Sequence, residues 1–213
     1  MKKLVIVGAA LAFVASACNN GTHSEEAKTT EKQEAAVASG ASYSIDTAAS
    51  KVEWTGTKPV GAHHGTLKIS EGSFSAEAGN LTAGAFTIDI NSLNNLDMKA
   101  GDGKEKLEGH LKSPDFFDAA KYPTAKFVIT SVSPLSDSTG THQINGNLTL
   151  KDSTKNVSFP AKISIADNAV KATADFSIDR TQWGLFYGND KSLGDKFIRP
   201  EVDIKLDISA VQK

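Results

Sequence analysis

Cysteine is almost absent: one residue in 213. An internal disulfide and any multi-cysteine metal site are therefore excluded. Charge of one sign is also lacking. The 23 basic and 25 acidic residues give a formal net charge of −2, so the chain has no electrostatic reason to bind nucleic acid. Catalytic signatures are missing as well. There is no Gly-x-Ser-x-Gly elbow. His63 and His64 are adjacent, so on a strand they face opposite sides and cannot chelate together, and His110 and His142 stand at no ligand spacing from them. Asp46, Asp89 and Asp97 form no paired-carboxylate arrangement. The reading is a non-enzymatic protein with no metal and no cofactor. No apolar run reaches the roughly 20 residues that a membrane-crossing helix needs; the longest is Leu4 to Val14.

That run has a position and a context. It follows Lys2 and Lys3 and precedes small residues, the layout of a secretory leader over residues 1–17. The lone Cys18 closes the stretch "VASAC", which resembles the lipobox of bacterial lipoproteins. The resemblance implies cleavage before Cys18, attachment of diacylglycerol to its thiol and N-acylation. Several acyl chains give stable anchoring where one is marginal. The expected location is a bacterial cell envelope, exported and tethered to a membrane. Residues 19–42 hold no aromatic and one large aliphatic, Val37. So little apolar area cannot offset the entropy of ordering, and residues 18–42 read as the lipidated cysteine and a flexible tether.

From Tyr43 onward, alternation takes over. Val52 and Trp54 share one face, then Leu67 and Ile69, Phe74 and Ala76, and Phe86, Ile88 and Ile90. The same holds for Ala125, Phe127 and Ile129; Ile144, Leu148 and Leu150; Val157, Phe159 and Ala161; Val170, Phe176 and Ile178; and Val202, Ile204, Leu206 and Ile208. Period-2 patterning with one wet face means antiparallel strands. "SEGS", "EAGN", "KDSTK" and "ADNA" supply turns at hairpin spacing. Eight or nine such strands without covering helices form a sandwich or a closed barrel. Pro160, at an outward position, marks a strand margin or bulge.

Two connections are too long to be turns, and long connections in compact domains are usually functional or disordered. The first, residues 91–123, carries Leu107 and Leu111 at helical spacing, Ser113 as an N-cap before Pro114, and the apolar pair Phe116–Phe117 in "SPDFFD". The second, residues 180–197, packs Trp183, Leu185, Phe186 and Tyr187 around Gly184.

Four motifs occur in order: "YSIDTAASKVEWTG", "HLKSPDFFDAAKYPTAKF", "INGNLTLKDSTKNVSFPAKI" and "FSIDRTQWGL". Together they resemble the YceI-like family of polyisoprenoid-binding proteins, over about Tyr43 to Ser209. A hydrophilic insert, "SPLSDSTGTHQ", and the lipobox depart from that pattern. The resemblance implies an all-β fold: an extended eight-stranded antiparallel barrel, lipocalin-like, spanning residues 43–213 with one short helical connection. It also implies a long isoprenoid ligand, such as a quinone tail or a polyprenyl phosphate, in an apolar lumen.

A barrel of this size is either filled by side chains or leaves room for one ligand. Small inner residues (Ala76, Ala85, Ala125, Gly146, Ala161, Ala172, Ala174) either open a channel or relieve crowding. Each buried CH₂ is worth about 0.8 kcal/mol, so chain length is weakly discriminated and specificity falls to contacts with the head group. The candidate lining is Trp54, Phe86, Ile88, Phe116, Phe117, Phe127, Ile129, Leu148, Phe159, Phe176, Trp183 and Phe186. Phe116 and Phe117 close or line the channel, or plug the barrel end as core. Trp183 and Phe186 carry the same ambiguity. Arg180 either pairs with Asp179 to orient the loop or meets a polar head group. The expected partners are an apolar chain lipid and, through the anchor, a membrane; the sequence sets no oligomeric state and leaves a dimer open. The expected function is sequestration or transport of that lipid. The competing reading is an accessory envelope lipoprotein with a filled barrel, supporting a membrane redox or stress system.

Overall fold

The computed structural model describes residues 24–213 apart from 136, 137 and 167. The leader and Cys18 lie outside the described residues. Alternation becomes strands at Ala41–Ile45 (β2), Lys51–Thr57 (β3), Ala62–Glu77 (β4), Asn80–Asn95 (β5), Thr124–Pro134 (β6), His142–Leu150 (β7), Ser153–Ala166 (β8), Ala169–Asp179 (β9) and Glu201–Gln212 (β10). They follow a four-residue strand, Lys28–Glu31 (β1). One α-helix, Lys104–Lys112 (α1), precedes β6.

Strands β4 to β10 pair antiparallel in chain order. β3 pairs with both β10 and β4 and closes the cylinder. β2 takes the same position further along, with Tyr43 opposite both Gln212 and Phe74. β2 and β3 thus act as one interrupted strand, and the barrel has eight positions, as the resemblance implies and within the eight or nine strands that alternation gives. Closure pairs both edges of each strand, which an open sheet cannot do. The turn 78–79 and the ends of β6 and β8 that lead into β7 and β9 gather at one end. The connections 58–61, 96–123 and 180–200 gather at the other, which we call the mouth.

The cylinder has one seam. β8 pairs with β9 only from Ala161 onward. Before that, β8 pairs with β1, Lys28 opposite Ser158 through Glu31 opposite Lys155. On the other side of the gap the Ser177 amide of β9 donates to Glu25 O, and the Ala27 amide donates to Ser177 O. β1 and the residues before it therefore wedge the seam, and Pro160 sits at the fork, the strand margin its missing N–H predicts.

This corrects the flexible tether. Beyond β1 the chain runs over the outer wall. Asn147 accepts from the Gln33 amide at 3.0 Å and donates to its carbonyl at 2.6 Å. The Ala36 amide donates to Ile129 O at 3.0 Å, and Ser39 O accepts from the Thr82 hydroxyl at 2.8 Å. The strap is held by backbone and amide hydrogen bonds and seals the buried Asn147–Asn156 pair. Composition tests only for apolar burial, so it missed this.

The helix also shifts. Ser113 terminates α1 rather than starting a helix: its hydroxyl donates to His110 O at 2.8 Å. The capping signal failed because Ser113 O accepts instead from the Phe116 and Asp118 amides, folding "SPDFFD" into turns with Asp118 at φ 48°.

Candidate functional site

The mouth half of the lumen holds a cavity of about 380 Å³. Its walls alternate as the strands do: Val52 and Trp54 from β3, Phe86, Ile88 and Ile90 from β5, Leu148 and Leu150 from β7, and Val202, Ile204 and Leu206 from β10. Its floor is a row of rings. Phe86 and Phe127 stand 5.3 Å apart, Phe127 and Phe159 5.8 Å, and Phe159 stacks on Phe176 at 3.9 Å. Beyond the rings, Tyr43, Ile45, Ile69, Phe74 and Ile144 are buried in the core and line no part of the cavity.

The two long connections roof it. Leu107 and Leu111 reach in from α1, with Phe116 and Phe117 after it. The Phe116 ring lies 5.2 Å from His110 and 5.3 Å from Tyr187, which joins the first connection to the second. Phe116 is buried, and both rings line the cavity beneath the roof. The Asp115 and Asp118 carboxylates do not hold that turn in register. Asp115 pairs with His110 at 3.1 Å, and the turn is made by main-chain bonds to Ser113 O and Asp118 O.

Of the twelve predicted lining residues, Trp54, Phe86, Ile88, Phe116, Phe117, Phe127, Leu148, Phe159 and Phe176 line the cavity. Three do not. Ile129 points inward, but toward the filled half, where its side chain approaches Gly84. Trp183 is 2 % exposed and turned away, its indole donating to Leu148 O at 2.9 Å. Phe186 is 63 % exposed on the rim. Parity places a strand residue on a face but gives no depth along the barrel, and a loop has no parity at all.

Among the small inner residues Gly146 relieves crowding, while Ala125 lines the cavity. A Cβ on Gly146 would lie 2.1 Å from the Phe127 ring, and one on Gly65 would lie 2.8 Å from Trp54. These positions receive a neighbour's ring. Gly146→Ala is expected to cost about 1–3 kcal/mol by overpacking and to push Phe127 into the cavity, reducing its volume. Urea unfolding checks the first effect and the yield of solvent-extracted lipid the second.

The lining carries Lys58, His63, His110, Arg180 and Lys196 and no carboxylate, although His63 and His110 pair with Asp97 and Asp115 behind it. Arg180 is 5 % exposed. Its guanidinium donates to Leu185 O, to Tyr187 O at 2.9 Å, to Ile198 O at 3.0 Å and to Arg199 O at 3.3 Å. It therefore staples the second connection over the cavity. It is not the partner of Asp179, whose carboxylate accepts from the Thr181 amide and hydroxyl. Burial pulls the Arg180 pKa below its usual value, against the charges of Asp179 and Glu201. The Trp54 indole N–H is buried with no protein partner among the described residues.

At the rim, Asp97 organises two histidines. It accepts from the His64 amide at 2.9 Å and meets His63 Nδ1 at 2.8 Å. Partial burial pushes its carboxyl up, but the His64 amide, the His63 ring and Asn95 outweigh that and hold it at about 2. A folded pKa below the unfolded value contributes stability that is present above about pH 4 and lost as pH falls toward about 2. Asp97 is exposed at the rim and solvent screens its pairs, so Asp97→Asn is expected to flatten the decline of Tm with acid only modestly. Sequence reasoning missed His63, His110, Tyr187 and Lys196 as lining. The inward parity of His63, opposite to His64, was the available signal.

A closed antiparallel barrel with an apolar pocket opening at one end defines a lipocalin-like class. Within it, the YceI-like domain matches residues 43–210, and the chain belongs to that family. It is 36 % identical over 98 residues to a UPF0312 protein of Pseudomonas putida, covering 46 % of this chain and 47 % of that protein. It is also 36 % identical over 100 residues to protein YceI of Salmonella arizonae, covering 47 % and 48 %. The matched stretch thus spans about half the length of these curated relatives. Among solved structures, Burkholderia cenocepacia BcnA superposes with a TM-score of 0.63 at 22 % identity, covering 78 % of this chain and 99 % of that one. A polyisoprenoid binding domain from Saccharophagus degradans gives 0.62 at 15 % identity, covering 80 % and 98 %. At those identities the likeness is one of fold.

Proposed function

We propose that this protein carries or sequesters a chain lipid of the polyisoprenoid class, with its apolar end on the ring floor and its head group at the mouth. The carrying observation is the cavity: apolar walls opening at the mouth, with Lys58 and Lys196 on the lining and no carboxylate there. Such a lining favours an anionic head, a polyprenyl phosphate, over a neutral quinone. The polyisoprenoid binding domain that shares the fold supports the ligand class. At about 380 Å³ the cavity lies near the low end of ligand pockets, about 300–1,000 Å³, so it encloses a short isoprenoid or the end of a long one. Lipidation of Cys18 would hold the protein in a bacterial envelope, facing the membrane that supplies its ligand.

The test is extraction of the purified protein with organic solvent and mass spectrometry of the extract. A stoichiometric isoprenoid, lost in Phe116→Ala/Phe117→Ala while the β-sheet circular dichroism persists, is the expected result. The filled half of the lumen favours the competing reading, an accessory lipoprotein without cargo. An extract empty of chain lipid would decide for it.

A further inference from the structure

The exposed large apolar side chains are not scattered. Among the described residues seven are more than two-fifths exposed, and five of them stand on mouth-end connections: Val60 at 72 %, Leu96 at 55 %, Phe186 at 63 %, Tyr187 at 46 % and Leu193 at 44 %. They come from three separate connections, so no single loop explains the cluster. Tyr187 is on the rim and also on the cavity lining, 4.5 Å from His110, which makes the apolar surface continuous from outside to inside. Lys58 and Lys196 border the opening; Lys191 and Arg199 are exposed beside it, as are Asp190 and Asp195 on either side of Leu193.

The described chain begins on the outer wall, within reach of Asp203 and Asp175, and runs from there toward the mouth along the seam. Ser24 donates its amide to Asp203 and its hydroxyl to Asp175, on the outer wall of β10 and β9. Asp203 is the third residue of β10, at its mouth end. Cys18 is six residues away in sequence, and six residues of any chain span at most about 22 Å.

From these positions we infer that the mouth rim docks on a lipid bilayer, with Phe186, Leu193 and Val60 entering the interfacial zone and the basic side chains meeting lipid phosphates. Aromatic rings and lysines suit that zone, where one end is apolar and the other wet. Docking lets a chain lipid pass along Tyr187 into the cavity without crossing water. The assignment deepens the carrier reading and rests on it for its purpose, but the docking is measurable with no cargo present.

The experiment uses residues 19–213, without the apolar leader or Cys18, so that neither leader nor acyl anchor contributes. It is mixed with protein-free, isoprenoid-free vesicles of phosphatidylethanolamine and phosphatidylglycerol and sedimented. Binding is expected, and Phe186→Ser/Leu193→Ser is expected to weaken the partition about tenfold or more, since each withdraws a large apolar side chain from the interface. Both sites are exposed, so the melting temperature should hold. Val211→Ser, equally exposed but at the far end of β10, should leave partition unchanged. In Phe186→Trp, brominated acyl chains should quench the new fluorescence. Sedimentation equal for parent and rim variant, equal loss in Val211→Ser, or binding only to native membranes that contain protein would each overturn the inference. Because the vesicles carry no isoprenoid, these outcomes are independent of whether solvent extraction finds a lipid.

Discussion

Replacing Arg180 with methionine is expected to cost about 3–5 kcal/mol of folding stability and to free the connection it staples. Four main-chain carbonyls, of Leu185, Tyr187, Ile198 and Arg199, accept from this one guanidinium. Each buried acceptor left unpaired costs about 1–3 kcal/mol. The loop can relax toward water, which keeps the total below the full sum. Arg180→Lys should recover less than half of the loss, because a point charge on a single stem cannot serve a fork of acceptors spread over fifteen residues. Urea unfolding measures the stability, and limited proteolysis between Leu185 and Arg199 reads the loop. A midpoint within about 1 kcal/mol of the parent would show that the carbonyls find other partners.

Removing the ring of Phe159 should have a comparable effect on stability and a larger one on cargo. The residue is 3 % exposed and contacts Phe127 and Phe176 in the floor. Phe→Ala in a close-packed core costs about 3–5 kcal/mol, through lost transfer energy and the void left behind. That void would extend the cavity toward the filled half. The bound lipids should therefore shift to longer chains, seen as a change in the chain-length distribution from solvent extraction. An unchanged distribution, in a variant that is destabilised as expected, would mean that the floor does not limit depth.

Strands and barrel were legible because a pleated ribbon with one oily face writes its period directly into the sequence. Phe86, Ile88 and Phe127 were placed by parity alone, and the cavity lines up with them. Phe186 and Trp183 were not placed, because "WGLFYG" has no period to say which ring turns inward. Packing decided it: Trp183 is buried with its indole donating to Leu148 O on β7, and Phe186 stands exposed on the rim. The strap was hidden for a different reason. Ala27 is its one fully buried apolar residue, so its order comes from amide bonds to Asn147, Ile129 and Ser177 whose partners lie more than ninety residues away in sequence. The basic mouth was half visible. Arg180 stood out beside Asp179, whereas the histidines and Lys196 converge only once three separate connections meet.

The wedged seam between β8 and β9 bears on how the domain tolerates trimming. A chain begun at Tyr43, where the family match starts, would lose β1 and leave the amides and carbonyls of Lys155–Ser158 without their ladder. An unpatched strip of this kind is a template for another copy. The shortened protein should therefore form dimers or larger species by edge-to-edge pairing on size exclusion, while the untrimmed chain supplies its own patch.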